Sequence, residues 1–159
     1  AAVYAASREL VLTTPYFVPD ESLLAALLSA PGRGVDVTLI VPAKVDSRLT
    51  HFASRAYQSD LLAAGVRIAL YRDGLLHTKS LAIDGQLSLF GSLNLDPRSL
   101  RLDFEVTLAV YDAEFTAALR RLQQSYVERS VMLDAAACRS RSAVERFTED
   151  AARLLGPLL

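Results

Sequence analysis

The stretch Leu75–Asn94 reads LLHTKSLAIDGQLSLFGSLN and carries polar residues at fixed spacing between short apolar runs. The Asp-Gly pair at 84–85 separates two of these runs, which is typical of a tight β-hairpin turn. His77 and Lys79 are two residues apart, so in a strand both side chains lie on one face. The stretch therefore predicts two antiparallel strands, over Leu75–Ile83 and Gln86–Phe90.

Ser92 and Asn94 have the same two-residue offset just after the second strand, so the hairpin would bring both pairs side by side. The resulting pocket holds an imidazole, an ammonium, a hydroxyl and an amide, which suits phosphate chemistry. A neutral imidazole can attack phosphorus and form a phosphohistidine. Lys79 and Asn94 can donate to the oxygens that gain charge, and losing one such donor typically costs about 10²–10³ in rate.

Asp84 has two possible roles in this pattern. It belongs to the spacing of the polar residues, which makes it a candidate for the site. It is also the first residue of an Asp-Gly turn, a position that needs no catalytic explanation. We predict a mainly structural role for Asp84 and keep the catalytic role as the alternative.

The segments around the hairpin alternate between strand and helix patterns. Short apolar runs predict strands over Glu9–Thr14, Val35–Val41, Val66–Tyr71 and Phe104–Val110, and Pro or Gly bounds the first three. Residues Ala1–Arg8 are predicted to be the tail of a helix. Amphipathic spacing and capping residues predict further helices over Asp20–Ala30, Ser47–Ala64, Asp112–Arg129 and Ser140–Leu155. This order predicts an α/β fold, a mixed β-sheet flanked by helices on both faces, in a single domain spanning 1–159.

The composition limits the classes of function. Of the 159 residues, 52% are apolar and 22% are charged, as in a globular chain. A net charge of −1 argues against broad binding of nucleic acid, which usually requires a strongly basic domain. The single cysteine, Cys138, excludes an intrachain disulfide and is expected to be a small packing residue. No apolar run approaches the roughly 20 residues of a membrane span.

The His77 pattern occurs once, although phosphodiester transfer also needs an acid to protonate the leaving alkoxide, worth roughly 10²–10⁴ in rate. The second histidine, His51, falls in a predicted helix without a motif and is interpreted as a surface or packing residue. We therefore predict half of an active site. No cluster of Asp, Glu or His has the spacing of metal ligands, so neither a metal nor a cofactor is expected.

The motif resembles the H-K-D motif of the phospholipase D superfamily. The wider sequence is similar to the C-terminal half of the bacterial cardiolipin synthase family, in blocks that cover nearly the whole chain: Thr14–Asp20, Gly34–Thr38, Leu61–Val66, Gly74–Lys79, Asn94–Ser99, Phe104–Val106 and Ala152–Leu159. One departure is Asp103, where the family usually has Asn; it adds negative charge close to Glu105.

The resemblance implies a metal-free transfer between two phosphatidylglycerol molecules, at a site shared by two motif-bearing halves. It implies that His77, Lys79, Ser92 and Asn94 line the phosphate site and that Glu105 orients the imidazole. His77, from the C-terminal half, is expected to be the acid/base member of the histidine pair. Tyr16 and Phe17 are candidates for the acyl or glycerol entrance, or for packing on the edge of the sheet.

The resemblance also implies partners and a location. The expected partners are a phospholipid, a membrane surface, and the missing N-terminal half or a second copy of the chain. Because the sequence begins without Met, we expect it to be a segment of a longer protein. The resemblance implies that this protein works at the cytoplasmic face of the bacterial membrane. Two alternatives remain: a single-motif nuclease that completes its site by homodimerising, and a non-catalytic domain that supports a partner.

Overall fold

A computed structural model describes residues 2–45, 47–101 and 104–155; Asp103 lies outside these ranges. The described residues form a seven-stranded mixed sheet in the order β6-β5-β4-β1-β2-β3-β7. Strands β1 to β3 are parallel, whereas each remaining strand is antiparallel to its neighbours. The strands are β1 Glu9–Thr13, β2 Asp36–Pro42, β3 Arg67–Tyr71, β4 Ser80–Ile83, β5 Leu87–Gly91, β6 Thr107–Tyr111 and β7 Ser130–Met132.

The helices predicted from Asp20, Ser47 and Asp112 begin where the capping pattern places them, whereas the helix predicted from Ser140 begins at Ala143, after its N-cap Ser142. Asp20 and Asp112 are N-caps whose side chains accept the backbone N–H groups of Leu23 and Phe115, which would otherwise lack partners. The helices are α1 Ala2–Ala5, α2 Glu21–Gly32, α3 Arg48–Ala56, α4 Gln58–Ala63, α5 Pro97–Arg101, α6 Ala113–Glu128, α7 Ala135–Arg139 and α8 Ala143–Leu154.

Both faces of the sheet are covered. Alternate residues of β1 point to opposite faces, so Leu10 and Leu12 join a large apolar core together with side chains of α1–α4 and α8. Val11 points the other way and belongs to a smaller cluster, on which Tyr126 and Val127 of α6 pack. The predicted α/β architecture, a mixed sheet flanked by helices on both faces, is confirmed.

Several boundaries differ from the prediction. The predicted helix Ser47–Ala64 is two helices, α3 and α4, which meet at Tyr57. Tyr57 is buried and packs its ring edge-on against Phe17, so tertiary packing fixes the break. The first predicted strand of the hairpin is shortened to β4, and β6 starts at Thr107 rather than at residue 104. Three short elements, α5, α7 and β7, were not predicted from the sequence.

The Asp-Gly turn forms as predicted, because Asp84 and Gly85 adopt φ values of 52° and 71° between the antiparallel strands β4 and β5. The carboxylate of Asp84 accepts backbone N–H groups of Ser7, Arg8 and Glu9 at 2.8–2.9 Å. Asp84 therefore joins the hairpin to the start of β1. It lies at the far end of β4 from Lys79, and these contacts support the structural role over the catalytic one.

Asp84 should contribute to stability in a pH-dependent way. Burial would raise its pKa, but the hydrogen bonds from Glu9, Ser7 and Arg8 prevail and hold the pKa of Asp84 at about 2, below its ordinary value of 3.8. A lowered pKa gives stability that is present at neutral pH and is lost as pH falls from 3.8 through 2. Asp84→Asn, which tolerates the same turn, should lower the free energy of unfolding by about 1–2 kcal/mol at pH 7.

Urea unfolding at a series of pH values measures this effect. The difference between the wild type and Asp84→Asn should shrink below pH 3.8, because the wild-type carboxylate then becomes protonated as well. Asp73→Asn, at an exposed loop position, is the matched control. A loss that is equal at pH 7 and at pH 2 would contradict the role of the charge.

Candidate active site

His77 and Lys79 lie in an irregular segment just before β4 rather than on a strand. Strand β1 ends at Thr13, two residues before Pro15, so residues 75–79 have no β1 backbone with which to form a ladder. The predicted strand is therefore wrong at this point. The predicted juxtaposition is nevertheless confirmed, because the ammonium of Lys79 donates to Nδ1 of His77 at 2.9 Å and to its backbone carbonyl at 3.1 Å.

The charge of Lys79 is set by its surroundings. Burial lowers the pKa of Lys79 from its usual value, and the nearby carboxylates of Glu105 and Asp96 raise it in part. The two carboxylates favour the cationic form, and a cation beside an exposed imidazole can neutralise the oxygens of a phosphodiester. Lys79 is therefore placed for charge stabilisation next to His77.

Hydrogen bonds of Gly91 and Ser92 connect the end of β5 to the segment before β4 and to the residue before β6. The N–H of Gly91 donates to the carbonyl of Lys79 at 3.3 Å, which places the second half of the motif beside the first. The N–H of Ser92 donates to the carbonyl of Val106 at 3.0 Å, and its Oγ accepts the N–H of Val106 at 3.0 Å. Since this Oγ acts as an acceptor, its own proton can still be donated to a ligand.

Asn94 carries a buried amide oxygen, Oδ1, with no hydrogen-bond partner among the described residues. An unpaired buried polar atom costs about 1–3 kcal/mol, so such atoms often mark a place where a ligand binds. The two ends of an amide have nearly the same shape, and turning it end for end would present the NH₂ group to a phosphate oxygen. Asn94 thus fits the predicted role of a donor.

The two aromatic candidates for the substrate entrance behave differently. Tyr16 packs its ring edge-on against His77, with centroids 6.5 Å apart, and therefore borders the site. Phe17 is 1% exposed and packs in the apolar core against Tyr57. The side chain of Phe17 is almost fully buried, which supports the alternative of packing over contact with substrate.

Glu105 lies near the site. It is half-buried and acts electrostatically on Lys79, whereas these described residues show no hydrogen bond between Glu105 and His77. Residues 104–106 precede β6 rather than belonging to it, so no ladder fixes this carboxylate. The orienting role of Glu105 stays a prediction.

Two residues near the motif were missed by the sequence reasoning. Asp96 is buried, accepts the N–H of Ser99 at 2.7 Å, and its charge raises the pKa of Lys79. Asp followed by Pro, here at 96–97, is a signal for the start of a helix and could have predicted α5. Tyr126 of α6 hydrogen-bonds Thr78, between the two motif residues, at 3.2 Å. This second contact joins distant parts of the chain and left no local signal.

The described residues contain no group of three or more His, Cys, Asp or Glu side chains placed to hold a metal ion. In the same ranges, no helix has both the length and the apolar character needed to cross a bilayer. Cys138 is buried, as expected of a packing residue, and accepts a hydrogen bond from Arg141 at 3.2 Å. His51 lies on α3 with its ring against Phe52, apart from the motif.

An exposed imidazole beside an ammonium, with a hydroxyl and an amide on the loop that follows β5, is an arrangement with the groups needed to bind phosphate and to support nucleophilic chemistry. The family model described as "Cardiolipin synthase, PLD-like domain" matches residues 1–126, most of the chain. The chain therefore belongs to the cardiolipin synthase family of phospholipase D-like domains.

Curated relatives agree with this membership. Cardiolipin synthase A of Pectobacterium carotovorum and that of Salmonella arizonae are each 51% identical over 158 residues. The match covers 99% of this chain and 32% of either relative. The chain thus spans about a third of the length of these relatives.

Solved structures share the fold. The phospholipase D family member Nuc of Salmonella typhimurium has a TM-score of 0.74 at 16% identity, over 83% of this chain and 86% of Nuc. Phosphatidylserine synthase of Haemophilus influenzae has a TM-score of 0.74 at 21% identity, over 99% of this chain and 43% of that enzyme. At these identities the likeness concerns the fold alone.

Proposed function

We propose that this chain is one half of the active site of a phosphatidyltransferase. The complete protein would transfer a phosphatidyl group between two phosphatidylglycerol molecules through a phosphohistidine, releasing glycerol and forming cardiolipin. The observation that carries this proposal is the Lys79–His77 pair, with 2.9 Å between the two nitrogens, present once in a chain one third as long as its relatives. The proposed half-site occupies a single domain, residues 1–159.

The roles divide between two halves. A histidine of the missing half would attack phosphorus, while His77 protonates the departing glycerol oxygen and later accepts the proton of the incoming hydroxyl. Lys79, Ser92 and Asn94 would donate to the phosphate oxygens, and Tyr16 would border the bound head group. Glu105 would orient His77 once the site is complete.

The surroundings of the site support a missing partner half. Leu75, Phe104 and Val106 are 87%, 108% and 67% exposed, and they flank the motif residues. Exposed apolar side chains around a site favour a protein interface or a lipid over free solvent. We propose that the motif-bearing N-terminal half packs on this apolar rim and leaves a passage for the lipid head group.

Location follows from the substrate. A phospholipid is presented at a bilayer, so the complete protein would work at the bacterial membrane, and we place it on the cytoplasmic face. Three side chains of α8, Val144, Phe147 and Leu154, are exposed on one side of this helix. This apolar stripe supports contact with a membrane surface.

The second candidate is a nuclease that completes its site by homodimerising. This candidate is supported by the structural match to Nuc, because this chain covers 86% of the Nuc chain. The net charge of −1 opposes it, because neutralising nucleic acid requires basic residues. A supporting domain without activity is a weaker third candidate, since it leaves the unpaired amide oxygen of Asn94 unexplained.

The isolated chain should be inactive, and adding the missing half should restore transfer. The reason is that the leaving group stays unprotonated, or the nucleophile is absent, when one of the two imidazoles is missing. The measurement is cardiolipin formation from phosphatidylglycerol vesicles by this chain, by the N-terminal half, and by both together. A chelator in every reaction tests the expectation that no metal is needed.

The matched control is the same mixture with His77→Ala in this chain, which should not be restored. Turnover by a demonstrably monomeric chain alone would contradict the two-half proposal. Cleavage of single-stranded DNA by a dimeric chain, without phospholipid transfer, would favour the nuclease. Loss of activity with the chelator would contradict metal-independent chemistry.

A further inference from the structure

The segment that carries the first half of the motif shows alternating burial just before β4. Leu76 and Ser80 are buried and Thr78 is half-buried, whereas His77 is exposed. Successive side chains of an extended segment point to opposite sides. The alternate residues Leu76, Thr78 and Ser80 therefore share one side of the segment. His77 and Lys79 contact each other on the other side, at the phosphate site.

Helix α6 meets the segment on the side opposite the phosphate site. Leu76 belongs to the smaller apolar cluster, on which Tyr126 of α6 packs. The hydroxyl of Tyr126 is hydrogen-bonded to Oγ1 of Thr78 at 3.2 Å. One turn earlier on the helix, Nε2 of Gln123 donates to Oγ of Ser80 at 3.2 Å. The helix thus holds the segment at alternate residues and leaves the two motif side chains facing away from it.

The ring of Tyr126 is itself held in place by its neighbours. It packs edge-on against the ring of Tyr71, with centroids 5.6 Å apart. The guanidinium of Arg129 lies over both rings, 5.5 Å from the centroid of Tyr71 and 5.8 Å from that of Tyr126. Aromatic and cation–π contacts of this kind favour one orientation of the ring. The hydroxyl of Tyr126 is therefore presented to Thr78 with little further loss of side-chain entropy.

The bond between Tyr126 and Thr78 matters because no strand ladder includes residues 75–79 in the described part of the chain. Lys79 is tied to β5 by the N–H of Gly91, at 3.3 Å, and directly precedes β4. His77 lies two residues farther from these strands. The bond at Thr78 joins the chain to α6 one residue from His77, so its loss should loosen the imidazole more than the ammonium.

We propose that Tyr126 is a positioning residue for His77: its hydroxyl, acting through Thr78, keeps the imidazole aimed at the leaving oxygen. The inference rests on the proposed function and adds a residue of α6 to it. A general acid must lie within hydrogen-bond reach of the oxygen that it protonates. A displacement of about 1 Å can cost about 10² in rate. The rate of transfer therefore depends on the anchor that α6 provides.

The test compares Tyr126→Phe with the wild type in the complete two-motif protein, with phosphatidylglycerol vesicles as substrate. Thermal unfolding gives the folded fraction of each protein, and turnover is expressed per folded molecule. The kcat of Tyr126→Phe should fall by about tenfold, at the upper end of what one hydrogen bond contributes. The KM should stay within about twofold, because Lys79 keeps its tie to Gly91 and the groups that bind phosphate stay in place.

Tyr71→Phe is the matched control, because it removes a hydroxyl from the same aromatic cluster. Within the described ranges, the hydroxyl of Tyr71 forms no hydrogen bond, and the kcat of this variant should be unchanged. Thr78→Val removes the other member of the pair and should lose as much as Tyr126→Phe. The double variant should be no worse than either single one, since both remove the same bond. Thr78→Ser keeps a hydroxyl and should retain most of the turnover.

The inference would be overturned by a kcat of Tyr126→Phe within twofold of the wild type, by an equal loss in Tyr71→Phe, or by full turnover in Thr78→Val. A loss that appears in KM, or only in the folded fraction, would show a binding or structural role and would also overturn it. A wild type that forms no cardiolipin but cleaves single-stranded DNA would instead contradict the proposed function. The same variants would then be compared on DNA, so the two failures are distinguishable.

Discussion

His77→Ala in the complete two-motif protein should abolish most transfer from phosphatidylglycerol, yet spare a substrate with a good leaving group. If His77 is the general acid, its loss leaves the other histidine able to attack, but the glycerol alkoxide departs without a proton. The rate on phosphatidylglycerol should fall by about 10²–10⁴. A nitrophenyl phosphodiester needs little protonation, so it should retain far more activity.

Two further measurements decide the assignment. The transfer rate of Glu105→Gln should lie between those of the wild type and His77→Ala, because the substitution loosens the orientation of the imidazole without removing it. Rapid quenching of a labelled wild-type reaction should trap the label on a histidine outside this chain's motif. Equal losses on both substrates in His77→Ala, with the label trapped on His77, would show that His77 is the nucleophile.

The elements that sequence predicts best are those with signals of their own. Asp20 and Asp112 are local caps, and the Asp-Gly turn contains its own left-handed residues, so helices α2 and α6 and the hairpin formed where expected. Short apolar runs bounded by Pro or Gly located β1, β2 and β3 to within one residue at each end. These features depend on short stretches of chain and hardly on what packs against them.

The elements that were missed depend on distant partners. Whether residues 75–79 form a strand is decided by Pro15, about 60 residues earlier, which ends the neighbouring strand. Strand β7 has three residues and exists because it pairs with β3. The break at Tyr57 likewise follows from packing against Phe17. No window of the sequence contains both members of these pairs.

The same distinction between local signals and long-range contacts applies to the residues of the site. The spacing of His77 and Lys79 gave their juxtaposition even though the predicted strand was wrong, because residues two apart can meet in more than one extended conformation. Phe17 was placed at the substrate entrance because neighbouring aromatics cannot be told apart by sequence, whereas one points to His77 and the other into the core. Burial, which decides between them, is a property of the whole fold.

Among the glycines that the structure describes, Gly91 should be the one at which an added methyl group, in Gly91→Ala, is most destabilising. A Cβ on Gly91 would lie 2.0 Å from the carbonyl oxygen of Val106 and 2.9 Å from Cα of Thr107. Backbone atoms cannot rotate away, so β5 and β6 would have to separate and break the paired hydrogen bonds of Ser92 with Val106. The free energy of unfolding should fall by about 3 kcal/mol, at the upper end of the cost of overpacking.

Gly32→Ala is the matched control, because its added methyl meets nothing within 4 Å at the end of α2. It should change stability by less than about 0.5 kcal/mol. Urea unfolding measures both variants, and titration with tungstate, a phosphate mimic, measures the site. Gly91→Ala should weaken tungstate binding even where it remains folded, because Ser92, a proposed donor to the phosphate oxygens, would lose the hydrogen bonds to Val106 that hold it in place. A Gly91→Ala chain as stable as the control would mean that the two strands are not packed this closely, and that the glycine of this motif is there for another reason.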